Sequence, residues 1–301
     1  MKVRNFTWAD LPALAEFIDV IRKAAGDDRS ITPSSLEEEL SMPGLAPEED
    51  CSLFEDGQGL LAYSLIHPEL RIRRTVLDMG FHPSAAATGL EREVVQRGLA
   101  KARELNAAVL HICVPPSRFW KNTLEEEGFS PAHKYWQMHW RGETVPPVKL
   151  PNGTTIQAFQ PGDEGRITQV QNAAFGGSWG FAPNTVEEVT HRVGMSISSP
   201  KGILFLTHGE ETSGYCWTTV QDGSSGSIGC IAMIGVAPSH RGRGLGKPIL
   251  LAGMDYLQSR GVEYIKLDVD ETNGSAIRLY RSVGFKKTME VHWFESLLSG
   301  T

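Results

Sequence analysis

The sequence lacks features that would each place it in a specialised class of protein. Its 301 residues contain no apolar run near the roughly 20 residues that span a bilayer. The opening Met-Lys-Val-Arg leads into a charged segment, which is not the pattern of a signal peptide. A net charge of −7 provides no broad basic surface for nucleic acid. We therefore expect a cytoplasmic protein, monomeric or homodimeric, that binds neither nucleic acid nor membranes.

Cysteine is also scarce. The four cysteines, Cys51, Cys113, Cys216 and Cys230, do not have the paired spacing of metal ligands. Since nothing in the sequence suggests secretion, reduced thiols are the default. We predict no disulfide, no zinc site and no other metal. The 41% hydrophobic content is ordinary for a globular protein, and the length allows two domains.

One short segment has the composition of a phosphate-binding turn. It follows the apolar run Ile228–Val236, which reads as a buried strand, and precedes Lys247–Arg260, where apolar residues recur at helical spacing. The turn contains Arg241, Gly242, Arg243, Gly244 and Gly246. The first N–H groups of a helix have no intrahelical partner, and the helix dipole favours anions there. The glycines would let a pyrophosphate approach the main chain, and the arginines add positive charge.

A second motif follows the predicted strand Tyr264–Val269. It reads Asn273-Gly-Ser-Ala276-Ile-Arg-Leu279-Tyr280, with Gly284-Phe285 shortly after. From the residues alone, Asn273 is a natural helix N-cap. Tyr280 could likewise be a core aromatic packed with Ala276, Ile277 and Phe285.

Together the two motifs resemble the GNAT acetyltransferase superfamily, whose signature Arg/Gln-x-x-Gly-x-Gly/Ala matches Arg241-x-x-Gly244-x-Gly246. The resemblance implies acetyl-CoA as co-substrate, with its pyrophosphate on the turn and its pantetheine arm along the preceding strand end. The residues assigned to it are Ile234, Gly235, Val236, Arg241, Gly242, Arg243, Gly244, Leu245, Gly246, Lys247, Asn273, Ala276 and Tyr280. Tyr280 is also the candidate catalytic acid, because a phenol with a pKa of about 10 stays protonated at neutral pH and can donate to a thiolate.

The chain contains an internal repeat. Pro83, Gly89 and Val114 match Pro238, Gly244 and Val269, each at an offset of 155 residues. This predicts an N-terminal domain over residues 1–141 and a C-terminal catalytic domain over 154–301, joined by a proline- and glycine-containing linker, 142–153. In the first copy, Ala86, Ala87 and Glu91 replace Arg241, Gly242 and Gly246. We expect that copy to be catalytically silent.

The order of elements predicts the α/β class. Each domain should be GNAT-like, with a mixed, mostly antiparallel sheet flanked by helices. In the second copy, Glu164–Phe175 is a helix candidate, and Thr185-Val-Glu-Glu188 is a capping box that opens another helix. Further strands are predicted at 202–207, 214–220 and 289–295.

The acceptor is expected to be an amine of a small molecule or peptide that attacks the thioester directly. Several residues could serve as its base, and the sequence does not choose among them: Glu187, Glu188, His191, Asp222, Glu290 and His292. The tandem arrangement and Gly214-Tyr-Cys-Trp217-Thr218 are similar to the mycothiol synthase family, although Thr219 and Cys230 stand where that family has Lys and Glu. This resemblance implies a second possibility, acetylation of a cysteinyl amino-sugar conjugate.

A third possibility belongs to another class: a non-catalytic acyl-CoA sensor or scaffold, since a fold does not fix a function. Retention of Asn273 and Tyr280 beside the glycine-rich turn favours the enzyme.

Overall fold

The computed structural model describes residues 1–27, 29–85 and 89–298. The chain forms two compact units, Met1–Tyr135 with Glu290–Thr301 (unit 1) and Trp136–Met289 (unit 2). Their boundaries fall inside the strands Ser130–Trp140 and Lys286–Leu297. The predicted domains, 1–141 and 154–301, describe the two sequence copies and stay a prediction.

The first sequence copy contains β1 (Lys2–Asn5), α1 (Leu11–Ala24), α2 (Pro33–Leu40), α3 (Pro47–Asp50), β2 (Cys51–Asp56), β3 (Gly59–Glu69), β4 (Arg74–Phe81), α4 (Leu90–Glu104), β5 (Val109–Val114), α5 (Arg118–Glu126) and β6 (Ser130–Trp140). The second contains β7 (Thr154–Ala158), α6 (Glu164–Phe175), α7 (Val186–Gly194), β8 (Ser198–His208), β9 (Glu211–Asp222), β10 (Ser227–Val236), α8 (Gly246–Ser259), β11 (Tyr264–Asp270), α9 (Gly274–Ser282) and β12 (Lys286–Leu297).

Each unit has a mixed sheet. The strand order is β1-β2-β3-β4-β5-β12 in unit 1 and β6-β11-β10-β9-β8-β7 in unit 2. The pairs β4–β5 and β10–β11 are parallel. The pairs β1–β2, β2–β3, β3–β4, β5–β12, β7–β8, β8–β9 and β9–β10 are antiparallel. The predicted mixed, mostly antiparallel α/β class is confirmed.

Apolar periodicity explains how the helices dock. On α8, the side chains of Ile249, Leu250, Met254 and Leu257 are buried in the core of unit 2. Gly253 lies so close to the sheet that an added Cβ would come 2.4 Å from the sulfur of Cys216. At the equivalent place in α4, a Cβ on Gly98 would come 2.7 Å from Leu77. The two glycines are 155 residues apart, and each lets its helix lie tightly on its own sheet.

Most predicted elements of the second copy match the structure. Glu164–Phe175 is helical over its full predicted length, and the capping box is present: the amide of Glu188 donates to the Thr185 hydroxyl at 3.1 Å, and the amide of Thr185 donates to the Glu188 carboxylate at 2.7 Å. The final strand, predicted to begin at Met289, begins at Lys286. Its polar first residues hide the alternation that would have marked it. Among the described helices, none is long and apolar enough to cross a membrane.

Candidate active site

The glycine-rich turn joins β10 to α8. After Val236, a short 3₁₀ turn covers Pro238–His240, and α8 begins at Gly246. Gly242 and Gly244 have φ angles of +76° and +75°, a region that favours glycine. In the described part of the chain, the amides of residues 242–245 donate no hydrogen bond to the main chain or to a side chain. The turn thus presents N–H groups that have no partner in the described chain at the positive end of a helix, which is the chemistry of an anion site.

Arg241 supports this turn through the backbone. Its Nη2 donates to the carbonyl oxygen of Ala174 at 2.6 Å, and its Nε donates to that of Val236 at 3.2 Å. The side chain therefore ties the turn to the end of β10 and to the last residues of α6. Arg243 is exposed, and its Nη2 donates to the Ser239 carbonyl at 3.1 Å. Direct binding of phosphate by these arginines stays a prediction.

The end of β10 also offers an open strand edge. β10 pairs with β11 over Ile228–Cys230, but it continues to Val236. A β-bulge interrupts its register with β9 between Ile231 and Met233. Bulges bend a strand and end pairing locally, so the last residues of β10 diverge from β11. An extended ligand can add to such an edge as another strand would.

The second motif forms the start of α9. The Asn273 side chain caps the helix, because its Oδ1 accepts from the amide of Ala276 at 3.1 Å. Tyr280 is buried, and its ring centroid lies 6.0 Å from that of Phe285. Burial raises the pKa of the Tyr280 phenol well above its ordinary value, with a smaller contribution from Cys216. The two structural interpretations, an N-cap and a core aromatic, are both correct, and neither excludes a role in catalysis.

The structure brings the two motifs together. Gly246 lies against α9, where an added Cβ would come 3.2 Å from Leu279 Cδ2. One apolar cluster of unit 2, with the residues packed against it, contains side chains from β10, from α8 and from α9: Ile234, Val236, Ile249, Ala276 and Tyr280. Lys247 is exposed in the first turn of α8. The turn, the strand edge and the phenol therefore belong to one packed region.

The candidate bases are less well placed. The Glu188 carboxylate is engaged in the capping box. Asp222 pairs with Ser227 at the start of β10, about 30 Å from Val236 at the usual rise of a strand. His292 Nε2 and Glu290 Oε1 lie 2.7 Å apart within unit 1. Glu187 is exposed and His191 half-buried, both on α7. None of these positions identifies a base.

One polar group beside the turn is not apparent in the sequence patterns. Tyr215 lies opposite Gly235 across β9–β10, and a Cβ on Gly235 would come 3.2 Å from the Tyr215 ring. The Tyr215 hydroxyl is buried without a hydrogen-bond partner in the described residues, and burial raises its pKa. Strand register places it there, and a single strand's sequence does not reveal register.

Comparisons with known proteins agree with this geometry. A model of the acetyltransferase (GNAT) family matches residues 166–285. A mycothiol acetyltransferase of Pseudarthrobacter chlorophenolicus is 30% identical, with the alignment covering 82% of this chain and 77% of that protein.

Two solved structures share the fold. A GCN5-related N-acetyltransferase from Sphaerobacter thermophilus has a TM-score of 0.77 at 24% identity, covering 98% of this chain and 95% of that one. A tandem GNAT protein from the clavulanic acid biosynthesis pathway has a TM-score of 0.76 at 14% identity, covering 100% and 99%.

Fold and sequence relationships together define an acyltransferase that moves an acetyl group to an amine. The chain belongs to the GNAT acetyltransferase family.

Proposed function

We propose that unit 2 transfers an acetyl group from acetyl-CoA to the amine of a small molecule or peptide. The observation that carries this proposal is the set of free amides at residues 242–245, on a turn held open by two glycines at positive φ. The turn stands at the start of α8 beside the open edge of β10. A pyrophosphate joined to an extended arm fits these two features.

In this proposal, the residues of unit 2 have separate roles in binding, positioning and proton transfer. Acetyl-CoA supplies the activated thioester. The amides of the turn hold its pyrophosphate, and the β10 edge at Ile234–Val236 orients the pantetheine arm by main-chain hydrogen bonds. Arg241 is a positioning residue, because it anchors the turn to Ala174 and Val236. The amine nitrogen bonds to the acetyl carbon as the carbon–sulfur bond breaks. Tyr280 gives its proton to the departing sulfur, and the proton released by the amine nitrogen restores the phenol. Its raised pKa keeps that proton in place at neutral pH.

A specific acceptor is suggested by the relatives named mycothiol acetyltransferase. By that relationship, the second candidate acceptor is a cysteinyl amino-sugar conjugate. Thr219 and Cys230, which replace the Lys and Glu of that family, are direct cross-strand partners on β9 and β10. At these two positions, a charged pair of residues in that family is thus replaced by a neutral pair in this chain. A site that loses polar contacts loses discrimination for the substrate that used them, so we favour a different amine.

Thiol release from acetyl-CoA tests the proposal directly. The purified protein would be assayed against a panel of small amines, amino-terminal peptides and the cysteinyl amino-sugar conjugate. We expect turnover with at least one amine outside that conjugate. Preference for the conjugate by kcat/KM would establish the second candidate. Tight acetyl-CoA binding without turnover on any amine would support a sensor instead.

A further inference from the structure

Unit 1 contains a polar cleft that is separate from the residues discussed above. It lies among α3, β2, β3 and α4, and its volume is about 390 Å³. That volume is within the range of small-molecule sites. Among the residues of its wall are Glu49, Ser52, Ser64, Arg97, Lys101 and Glu104.

Two groups in this wall are ready to bind an anion. The Ser64 side chain is buried, with 5% of the residue exposed, and its hydroxyl makes no hydrogen bond to any described residue. Arg97 donates from Nε to the Ser52 hydroxyl at 2.9 Å, while its two terminal nitrogens have no partner in the described chain. The terminal nitrogens of such a guanidinium can donate two parallel hydrogen bonds to the two oxygens of a carboxylate.

The second cation of the wall is already neutralised. Lys101 Nζ lies 3.4 Å from Asp50 Oδ1, and Asp50 is buried. The other Asp50 oxygen accepts from the amide of Ala46 at 2.9 Å. Arg97 is therefore the cation of the cleft that lacks a counter-ion.

Two carboxylates of the cleft wall favour a cation, whereas Arg97 favours an anion. Glu49 and Glu104 line the cleft and form no ion pair within the described ranges. They would repel a multiply charged anion such as phosphate, and they would attract an ammonium group. The cleft thus presents one open guanidinium and two open carboxylates to the same small volume.

Unit 2 fills the corresponding space differently. At the repeat offset of 155, Arg97 and Lys101 correspond to Ala252 and Tyr256. The ring of Tyr256 packs over Gly202, where an added Cβ would come 2.5 Å from it. Unit 1 instead has long charged side chains at these positions, with Arg97 exposed and Lys101 half-buried beside Asp50.

We propose that this cleft binds a small zwitterion that carries both a carboxylate and an ammonium group, the chemistry of a free α-amino acid. Arg97 and Ser64 bind the carboxylate, and Glu49 and Glu104 bind the ammonium group. The proposal does not depend on acetyl transfer by unit 2.

Calorimetric titration of the full chain with a panel of free amino acids tests the site. We expect at least one to bind, and we expect its N-acetyl and carboxamide derivatives, which each lack one charge, to bind about tenfold more weakly or worse. Arg97→Met and Ser64→Ala should weaken binding, Arg97→Met by about tenfold or more. Arg103→Met, which removes an exposed arginine of the same helix outside the cleft wall, should leave affinity unchanged.

Several outcomes would overturn the proposal. These are the absence of binding by every amino acid at millimolar concentration, affinity that is unchanged in Arg97→Met, or equal binding of acetate and inorganic phosphate. Melting curves of each variant establish that it is folded. Thiol release from acetyl-CoA, measured on the same preparations, is expected to be unaffected by Arg97→Met, so failure of the cleft and failure of the acetyltransferase proposal give different results.

Discussion

The strand–turn–helix segments β4–α4 and β10–α8 are alike in the main chain at several described positions but differ in chemistry. In both, parallel pairing with the next strand ends before the strand does, at Leu77 in unit 1 and at Cys230 in unit 2. Gly89 and Gly244 occupy the same repeat position, with φ angles of +90° and +75° and open space around a would-be Cβ. At these described positions the main chain is therefore alike in both copies.

The side chains are what differ. Glu91, buried in the first turn of α4, stands where α8 has Gly246. Leu124, fully buried, stands at an offset of 156 from Tyr280. Ala86 and Ala87, the counterparts of Arg241 and Gly242, lie outside the described residues. These differences support the proposal that unit 2 binds acetyl-CoA and the prediction that unit 1 is catalytically silent.

The largest expected effect is that of a substitution in the β10–α8 turn, compared with the same substitution in the β4–α4 turn. Gly244→Glu puts a side chain at positive φ, which costs about 1–2 kcal/mol, and it adds a carboxylate beside the proposed pyrophosphate site, where like charges cost several kcal/mol. We expect kcat/KM for acetyl-CoA to fall by about a thousandfold, since each 1.36 kcal/mol is a factor of ten.

Gly89→Glu is the matched control, because Gly89 has the same backbone requirement. It should reduce stability to a similar extent while leaving acetyl transfer unchanged. Equal loss of activity in both variants would show that unit 1 contributes to acetyl-CoA binding and that the functional contrast between the units is wrong.

The next largest effect concerns Tyr280. Tyr280→Phe removes the proposed acid but keeps the ring that packs against Phe285. We expect kcat to fall by about a hundredfold, with KM and melting temperature nearly unchanged. Because burial raises the pKa of Tyr280, the protonated form persists as pH rises, and the wild-type rate should show no alkaline loss attributable to this group below about pH 10. A pH–rate profile of both proteins checks this, and an undiminished kcat in Tyr280→Phe would remove its assigned role.

Local patterns in the sequence predicted much of the unit 2 architecture. The β10–turn–α8 segment, the capping box at Thr185 and the helix that begins after Asn273 each depend on neighbouring residues, and each is present. The repeat offset likewise paired Gly89 with Gly244, and both have positive φ angles. These features are readable because caps, turns and amphipathic helices are determined by contacts a few residues apart.

Contacts between distant segments were not predictable in the same way. The sequence predicts Arg241 as a phosphate-binding residue, but it does not reveal that the guanidinium donates to the carbonyl of Ala174, 67 residues away. The placement of Tyr215 beside Gly235 depends on strand register. The division of β6 and β12 between the two units depends on which sheet each strand part joins, and alternation within one strand does not specify its neighbour.

The smallest expected effect is a change in the free energy of unfolding, compared between the starts of the two copies. Asp10 and Asp163 both accept a hydrogen bond from the amide three residues earlier, at 2.9 Å in each case. Arg4 binds Asp10 at 2.7 Å, and hydrogen bonding by this guanidinium lowers the pKa of the Asp10 carboxyl to about 2. In unit 2 the nearest cation, Arg166, lies 3.6 Å from Asp163.

A lowered carboxyl pKa contributes stability above its unfolded value near 3.9, and that stability is lost as pH falls toward about 2. Asp10→Asn should therefore cost about 1–2 kcal/mol at pH 7, after allowance for partial exposure, and progressively less below about pH 4. Asp163→Asn should cost less at pH 7, because its ion pair is longer. Urea unfolding of the three proteins across this pH range measures the difference. A penalty for Asp10→Asn that does not change with pH would show that the aspartate acts as a neutral cap, and that the Arg4 pair adds nothing to unit 1.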